Sequence, residues 1–294
     1  MRSGKTDRAR GGYSMALTTD EIADHPALPA CIRQQCAVLV QAFEANPRLA
    51  SVFATQQRWL MAHAALALYF RRNVKGFKIT EFLDLIEQQK VASRNTADTF
   101  VKEMQQYNFA RTVAGGSDRR TRPIEPTEAS LQEIHGWLTV HLATLDGLDQ
   151  GGRCQAYLAR PDLLGLTQPL IADALLSSPM IREPAKTFSL FTWLNNGGIV
   201  MDRIVAGIAD SDVHAEQIPT AITSVKEMAA WLRLSRSHLV RKLRDAEALG
   251  SIGWHGKRGQ SVMWVSQGFR QEYTMAQAVK LAIIDQAFEV AASL

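Results

Sequence analysis

Apolar residues recur at helical spacing along most of this chain. Six long stretches carry the pattern: Pro29 to Glu44, Gln56 to Asn73, Thr127 to Leu145, Asp162 to Leu176, Phe188 to Ala209 and Ser266 to Ala291. Each predicts a helix, and Pro169 is expected to break or delay the fourth because it lacks an N–H and crowds the preceding turn. The last stretch is apolar enough to need a large partner surface, either in its own domain or in another molecule.

Two further segments share a pattern at an offset of 142 residues. In the first, Thr80 to Gln89 predicts a short helix, and Ser93-Arg94-Asn95 opens a second one with Ala97, Val101 and Met104 on its inner face. In the other, Ser224-Val225-Lys226-Glu227 is a capping box starting a helix to about Leu232. Ser235-Arg236-Ser237 then opens a helix with Leu239, Leu243 and Ala246 inward. These second helices are expected to stop at Asn108 and Gly250, residue types that readily take the left-handed C′ conformation. Each is followed by a predicted hairpin. The strands are Ala110 to Val113 with Arg122 to Glu125, and Ile252 to Trp254 with Val262 to Val265; Gly-rich basic tips join them. Pro123 and Pro126 flank one strand and predict an edge position for it.

A helix pair joined by a sharp turn and followed by a two-stranded wing is the winged helix-turn-helix pattern, whose second helix fits the major groove of B-DNA. The expected fold class is therefore mainly α, with tandem winged helix-turn-helix domains and small β-hairpin wings. Length agrees: 294 residues at about 150 per domain suggest two domains. The expected division is a basic flexible tail over 1–25, a first winged-helix domain over 26–149 and a second over 150–294, with the Gly-rich Asp149–Arg153 stretch at the boundary.

Charge sharpens the picture. The whole chain carries a formal +4, a mild excess that permits a polyanionic partner without requiring one. Between Ser224 and Arg258 eight basic residues face three acidic ones, a local +5. Between Thr80 and Arg122 the balance is +1, with the positive charge gathered at the hairpin. Opposite the inner faces stand Asn95, Thr99 and Lys102 in the first copy and Ser237, Arg241 and Arg244 in the second, all hydrogen-bond donors to bases or phosphates. Candidate DNA-binding residues are thus Ser93, Arg94, Asn95, Thr99 and Lys102, and Ser235, Arg236, Ser237, His238, Arg241, Lys242 and Arg244. The tips add Arg119, Arg120 and Arg122 in the first copy and His255, Lys257 and Arg258 in the second. Ser93 and Ser235 read equally as N-caps, Trp231, Trp254 and Trp264 as core, and His63 as a core histidine.

The run Asp118-Arg119-Arg120, followed by Ile124 and Thr127-Glu128, resembles the wing signature of MarR-type winged-helix transcriptional regulators over roughly Gln56 to His141. That resemblance implies a DNA contact by Arg120, with Asp118 bracing it. The chain departs from the pattern at Pro123, Pro126 and Ser130, and in carrying a second winged helix that lacks the Asp-Arg-Arg run. The expected function is sequence-specific double-stranded DNA binding in transcriptional regulation. Tandem winged helices also resemble plasmid-type replication initiators, and winged helices in other settings are protein-interaction scaffolds.

Other chemistry is weakly signalled. No metalloprotease, nucleophile-elbow or nucleotide-binding motif occurs, so no enzyme activity and no cofactor or metal are expected. Three cysteines without a C-x-x-C pair, and no secretory apolar segment, suggest a cytoplasmic protein. The longest apolar run, Trp59 to Phe70, would span about 18 Å as a helix and is too short to cross a membrane. A homodimer and a small-molecule effector remain candidate partners; the aromatics and amides at Phe188, Phe191, Trp193, Asn195, Asn196 and Met201 suggest a pocket between the heads.

Overall fold

The computed structural model describes residues 15–47, 55–73, 75–113, 123–184, 186–192, 194, 196–210 and 214–294. The chain is mainly helical, with two small antiparallel sheets among the described residues. The first half runs α1 (Thr19–Ala23), α2 (Leu28–Ala45), α3 (Gln56–Arg71), α4 (Ile79–Gln88), α5 (Arg94–Gln106), β1 (Ala110–Thr112), β2 (Ile124–Pro126) and α6 (Glu128–Asp149). The second half runs α7 (Arg153–Ala159), α8 (Leu163–Ser177), α9 (Pro179–Arg182), α10 (Lys186–Thr192), α11 (Gly197–Ala206), β3 (Gln217–Pro219), α12 (Val225–Trp231), α13 (Arg236–Ala248), β4 (Ile252–Trp254), β5 (Met263–Ser266) and α14 (Gln267–Ala292).

The halves match in local detail. Between α4 and α5 the chain turns at Lys90 (φ 52°), and Val91 N donates to Ile86 O at 3.0 Å. Between α12 and α13 it turns at Arg233 (φ 55°), and Leu234 N donates to Ala229 O at 3.0 Å. Helices α5 and α13 end on left-handed residues, Asn108 (φ 59°) and Gly250 (φ 70°), at the two expected positions. Phe109 N then donates to Met104 O at 2.8 Å and Ser251 N to Ala246 O at 3.0 Å, which satisfies a last-turn carbonyl in each helix. In the sheets, β3 and β4 both pair with β5, while Phe77 and β1 both pair with Ile124 of β2, so the strand order is the same.

That order corrects the expected edge position of β2, which lies between Phe77 and β1. The prolines cost little because Ile124 makes both hydrogen bonds to Phe77, at 2.8 and 2.9 Å, and Pro123 uses its carbonyl to accept from Val113 N. Pro169 also behaves differently from expectation, since α8 runs through it unbroken. This helix is clamped between α3 and α14, and Gly165, one turn before the proline, sits bare against the Phe70 ring. Tertiary packing outweighs the local penalty of about 3 kcal/mol. The predicted helix over Phe188 to Ala209 divides into α10 and α11. Asn196 turns left-handed (φ 58°), and a Cβ on Gly197 would fall 1.8 Å from the Phe191 carbonyl oxygen, so the corner requires glycine.

Long helices are exchanged between the halves. Helix α2 packs on α6 of its own half and on α11 of the other; α8 packs on α14 of its own half and on α3 of the other. Helix α1 lies against α14, α7 lies against α6, and α6 and α14 touch. One continuous apolar core runs through both halves. Residues 15–25, expected in the tail, hold α1, closed by a Thr18/Glu21 capping box and anchored by buried Leu17 and Ile22. The Gly-rich boundary is a tight corner, with Gln150 (φ 58°) and Gly152 (φ 74°) left-handed. Asp146 accepts from the N–H groups of Arg153 (2.8 Å) and Cys154 (2.9 Å), and fully buried Asp285 receives the Arg153 guanidinium (2.5 Å) and Leu17 N (2.7 Å). Burial pulls the Arg153 pKa down, but the hydrogen bonds its guanidinium donates to Asp149 and Asp285 more than offset it.

Candidate nucleic-acid interface

In the second half, Leu239, Leu243 and Ala246 fill the inner face of α13 as the 3.6-residue period demands. The outer face is left to Ser235, Arg236, Ser237, His238, Arg241 and Arg244, all exposed, with Lys242 half-buried beside them. Ser235 stands at the N-cap position but does not cap. Its hydroxyl shares a hydrogen bond with Ser237 Oγ at 2.8 Å, which corrects the expected cap.

The hairpin is held beside this helix by close backbone fits. Gly253 of β4 is paired with Trp264, and a Cβ there would lie 2.1 Å from the indole ring. Gly259 takes φ 69° and accepts Val225 N at 3.2 Å, docking the tip on the first residue of α12. Gln260 N closes the tip turn on Lys257 O at 3.0 Å, leaving His255, Lys257 and Arg258 exposed. Arg258 is ion-paired with Glu247 at 2.7 Å.

Pairing separates the two halves. Among the described residues, Arg236, Arg241, Lys242, Arg244 and Lys257 form no ion pair, and neither do Lys226 and Arg233 on the adjoining helix and turn. Local charge counting includes Lys226 and Arg233, but helix-face reasoning does not pick them out; their position beside α13 comes from the sharp left-handed corner. The cations of α5 are engaged by neighbouring acids. Arg94 pairs with Asp84 (2.5 Å) and Glu87 (3.2 Å), whose carboxylates raise its pKa further, and Lys102 pairs with Asp98 (2.5 Å). Arg111 on β1 pairs with Glu125 at 2.7 Å. Asn95 and Thr99 are exposed, and Ser93 does cap α5, accepting Thr96 N at 3.3 Å. Arg119, Arg120, Arg122 and Asp118 lie outside the described residues.

The aromatic side chains take mixed places. Trp231, Trp254 and Trp264 are half-buried; Trp231 donates to Glu44 Oε1 at 2.9 Å and packs on Phe43, tying α12 to α2. His63 is buried on α3, where Gln168 Nε2 lies 2.9 Å from its Nδ1.

A second feature lies where the halves meet. A cavity of about 610 Å³ is lined from α2, α3, α5, α6, α9, α10, α11 and α14. Phe188, Phe191, Asn196 and Met201 of the expected pocket line it, while Trp193 and Asn195 lie outside the described residues. Sequence reasoning missed its other walls and Lys280. The available signal was Tyr273, Gln277 and Lys280 at spacings of four and three, a polar stripe on the inward face of an otherwise apolar helix.

No family model, curated protein or solved structure matches the chain. The functional reading rests on the geometry. Among the described residues no cluster of three or more metal-ligating side chains occurs, and no helix is long and apolar enough to cross a membrane.

Proposed function

We propose that the chain is a double-stranded DNA-binding transcriptional regulator, built as two winged-helix units held together as a pseudo-dimer, without enzymatic activity. The carrying observation is the outer face of α13, where Arg236, Arg241, Lys242 and Arg244, with Lys257 at the hairpin tip, form no ion pair among the described residues. Unpaired cations on an exposed helix can release counterions from phosphates at no cost in broken salt bridges. Strand order and helix order in both halves support the winged-helix assignment. In this reading α13 enters the major groove, with Arg241 and Arg244 on base edges or phosphates and Lys257 on the flanking backbone. The first unit is proposed to contribute through Arg120 of the Asp118-Arg119-Arg120 run, as the resemblance to MarR-type regulators implies.

Fluorescence anisotropy with a labelled duplex over a salt series tests the proposal. Native affinity should fall steeply with salt, and Arg241→Glu plus Arg244→Glu should lower affinity more than about tenfold and flatten the log-log slope by about 1.8, at 0.9 per lost phosphate contact. No native binding at low salt overturns the proposal. Selection of bound sequences from a random pool then separates promoter-type operators from the repeated sites of an initiator.

A further inference from the structure

Each helix-turn-helix is bonded both to its own half and to the other half. The own-half bonds come from side-chain amides at the start of the preceding long helix. Gln57 Nε2 of α3 donates to Val91 O at 2.8 Å, and Asn196 Nδ2, at the N-cap of α11, donates to Leu232 O at 3.2 Å. The cross-half bonds come from the far ends of the exchanged helices. Helix α2, which packs on α11, ends beside the second head, where Glu44 Oε1 accepts the indole N–H of Trp231 at 2.9 Å. Helix α8, which packs on α3, leads into α9 beside the first head, where Arg182 Nη2 donates to the Lys90 carbonyl at 3.0 Å. Both bonds fall at the turn. Trp231 closes α12 two residues before left-handed Arg233, and Lys90 is itself the left-handed residue between α4 and α5. Each bond is charge-assisted, through a carboxylate in one case and a guanidinium in the other, and so stronger than a neutral one. The Trp231 ring is held further by the Phe43 ring at 4.9 Å and by the Arg203 guanidinium over its face at 5.1 Å. Helix α12 otherwise packs mainly on α13, so this grip is what joins it to the body.

We propose that Glu44 and Arg182 are positioning residues, whose bonds fix the separation of the two winged-helix heads and thereby the half-site spacing that the protein accepts. Neither side chain contacts DNA in this scheme. Two heads on a rigid body gain from binding together where the half-sites match their span, and the gain falls steeply away from it. On B-DNA an error of half a turn, about five base pairs, puts the second half-site on the opposite face. The spacing consequence rests on the DNA-binding reading; the fixed separation does not.

Two measurements on the full chain test the two parts separately. Spin labels at Tyr107→Cys and Leu249→Cys, exposed positions at the corresponding ends of α5 and α13, report the head-to-head distance without DNA in a Cys31→Ser, Cys154→Ser background. With both bonds intact the distance distribution should be single and narrow, and Glu44→Ala plus Arg182→Ala should replace it with a broad one. Glu44→Gln, whose amide oxygen still accepts the indole N–H, should keep it narrow. An unchanged distribution in the double variant overturns the proposal. Anisotropy with duplexes carrying the selected half-sites, stepped through one helical turn of spacing, reads the consequence. Native protein should separate best from worst spacing by about a hundredfold, and the double variant by less than about tenfold, with equal affinity of both for a single half-site. A spacing preference that survives the double variant overturns the positioning role. If native protein binds no duplex, the DNA-binding reading fails, while the distance measurement still decides whether these bonds hold the heads.

Discussion

Burial on α3 and α6 holds two histidines in one protonation state. His63, 2% exposed, has its pKa pushed down to about 3 by loss of hydration, with the Lys280 charge adding to the effect. His141 is shifted the same way; its Nδ1 lies 2.7 Å from the Trp137 carbonyl, which can only accept, so Nδ1 carries the proton. Above the ordinary value of 6.5 both residues are neutral folded or unfolded, and pH has no leverage through them. Below it the unfolded chain takes up protons that the folded chain refuses, so stability falls as pH drops from 6.5 toward 3. The limiting slope is about 1.4 kcal/mol per pH unit for each histidine. Urea unfolding of native protein and His63→Asn should therefore show native stability declining by about 2 kcal/mol more between pH 7 and 5. Parallel decline of the two proteins would contradict the neutral assignment. The sequence already marked His63 as a core residue, from its place in an apolar helical run, but its partner Gln168 lies 105 positions away.

Helices α5 and α13 show how far element-level reading reaches. Their inner faces, their left-handed stops and the hairpins after them all follow from neighbours within a few positions, and all stand where the spacing put them. The chemistry of their outer faces does not follow as directly. Lys102 and Arg94 match Arg244 and Arg236 in position, yet Asp98, Asp84 and Glu87 neutralise the first pair and nothing described neutralises the second. Asp98 is visible at i−4 on the same helix, whereas Asp84 and Glu87 reach Arg94 only because the turn at Lys90 folds α4 back beside α5. Lys102→Glu should accordingly change affinity for a nonspecific duplex less than threefold, while Arg241→Glu alone should lower it by about tenfold at the same salt concentration. Equal losses in the anisotropy assay would show that both faces engage the backbone.

Across the whole molecule, helix exchange makes two units into one body. Helix α2 packs on α11 and α8 packs on α3, so these contacts between the halves are made within one chain. The inward face of α14 is occupied by α1, α6 and α8, so its apolar stripe is spent internally. In the pseudo-dimer reading one chain suffices for one duplex. Light scattering should give 32.6 kDa for the free protein and a complex of one chain per duplex, and footprinting should show two protected patches about one helical turn apart. A two-chain mass with a single short patch would overturn that arrangement.

The inner faces and stops of α5 and α13, the hairpin positions and the repeat at 142 residues were legible in the linear order, because amphipathic period and turn chemistry act over about five residues. Edge or centre for β2, the survival of α8 through Pro169 and the corner at Asn196 were not, since each depends on a distant surface: Phe77, the α3–α14 clamp and the Phe191 carbonyl. The cavity belongs to the same class. Its walls come from eight helices of both halves, and Lys280 becomes a cation without an ion pair among the described residues only once those helices close around it.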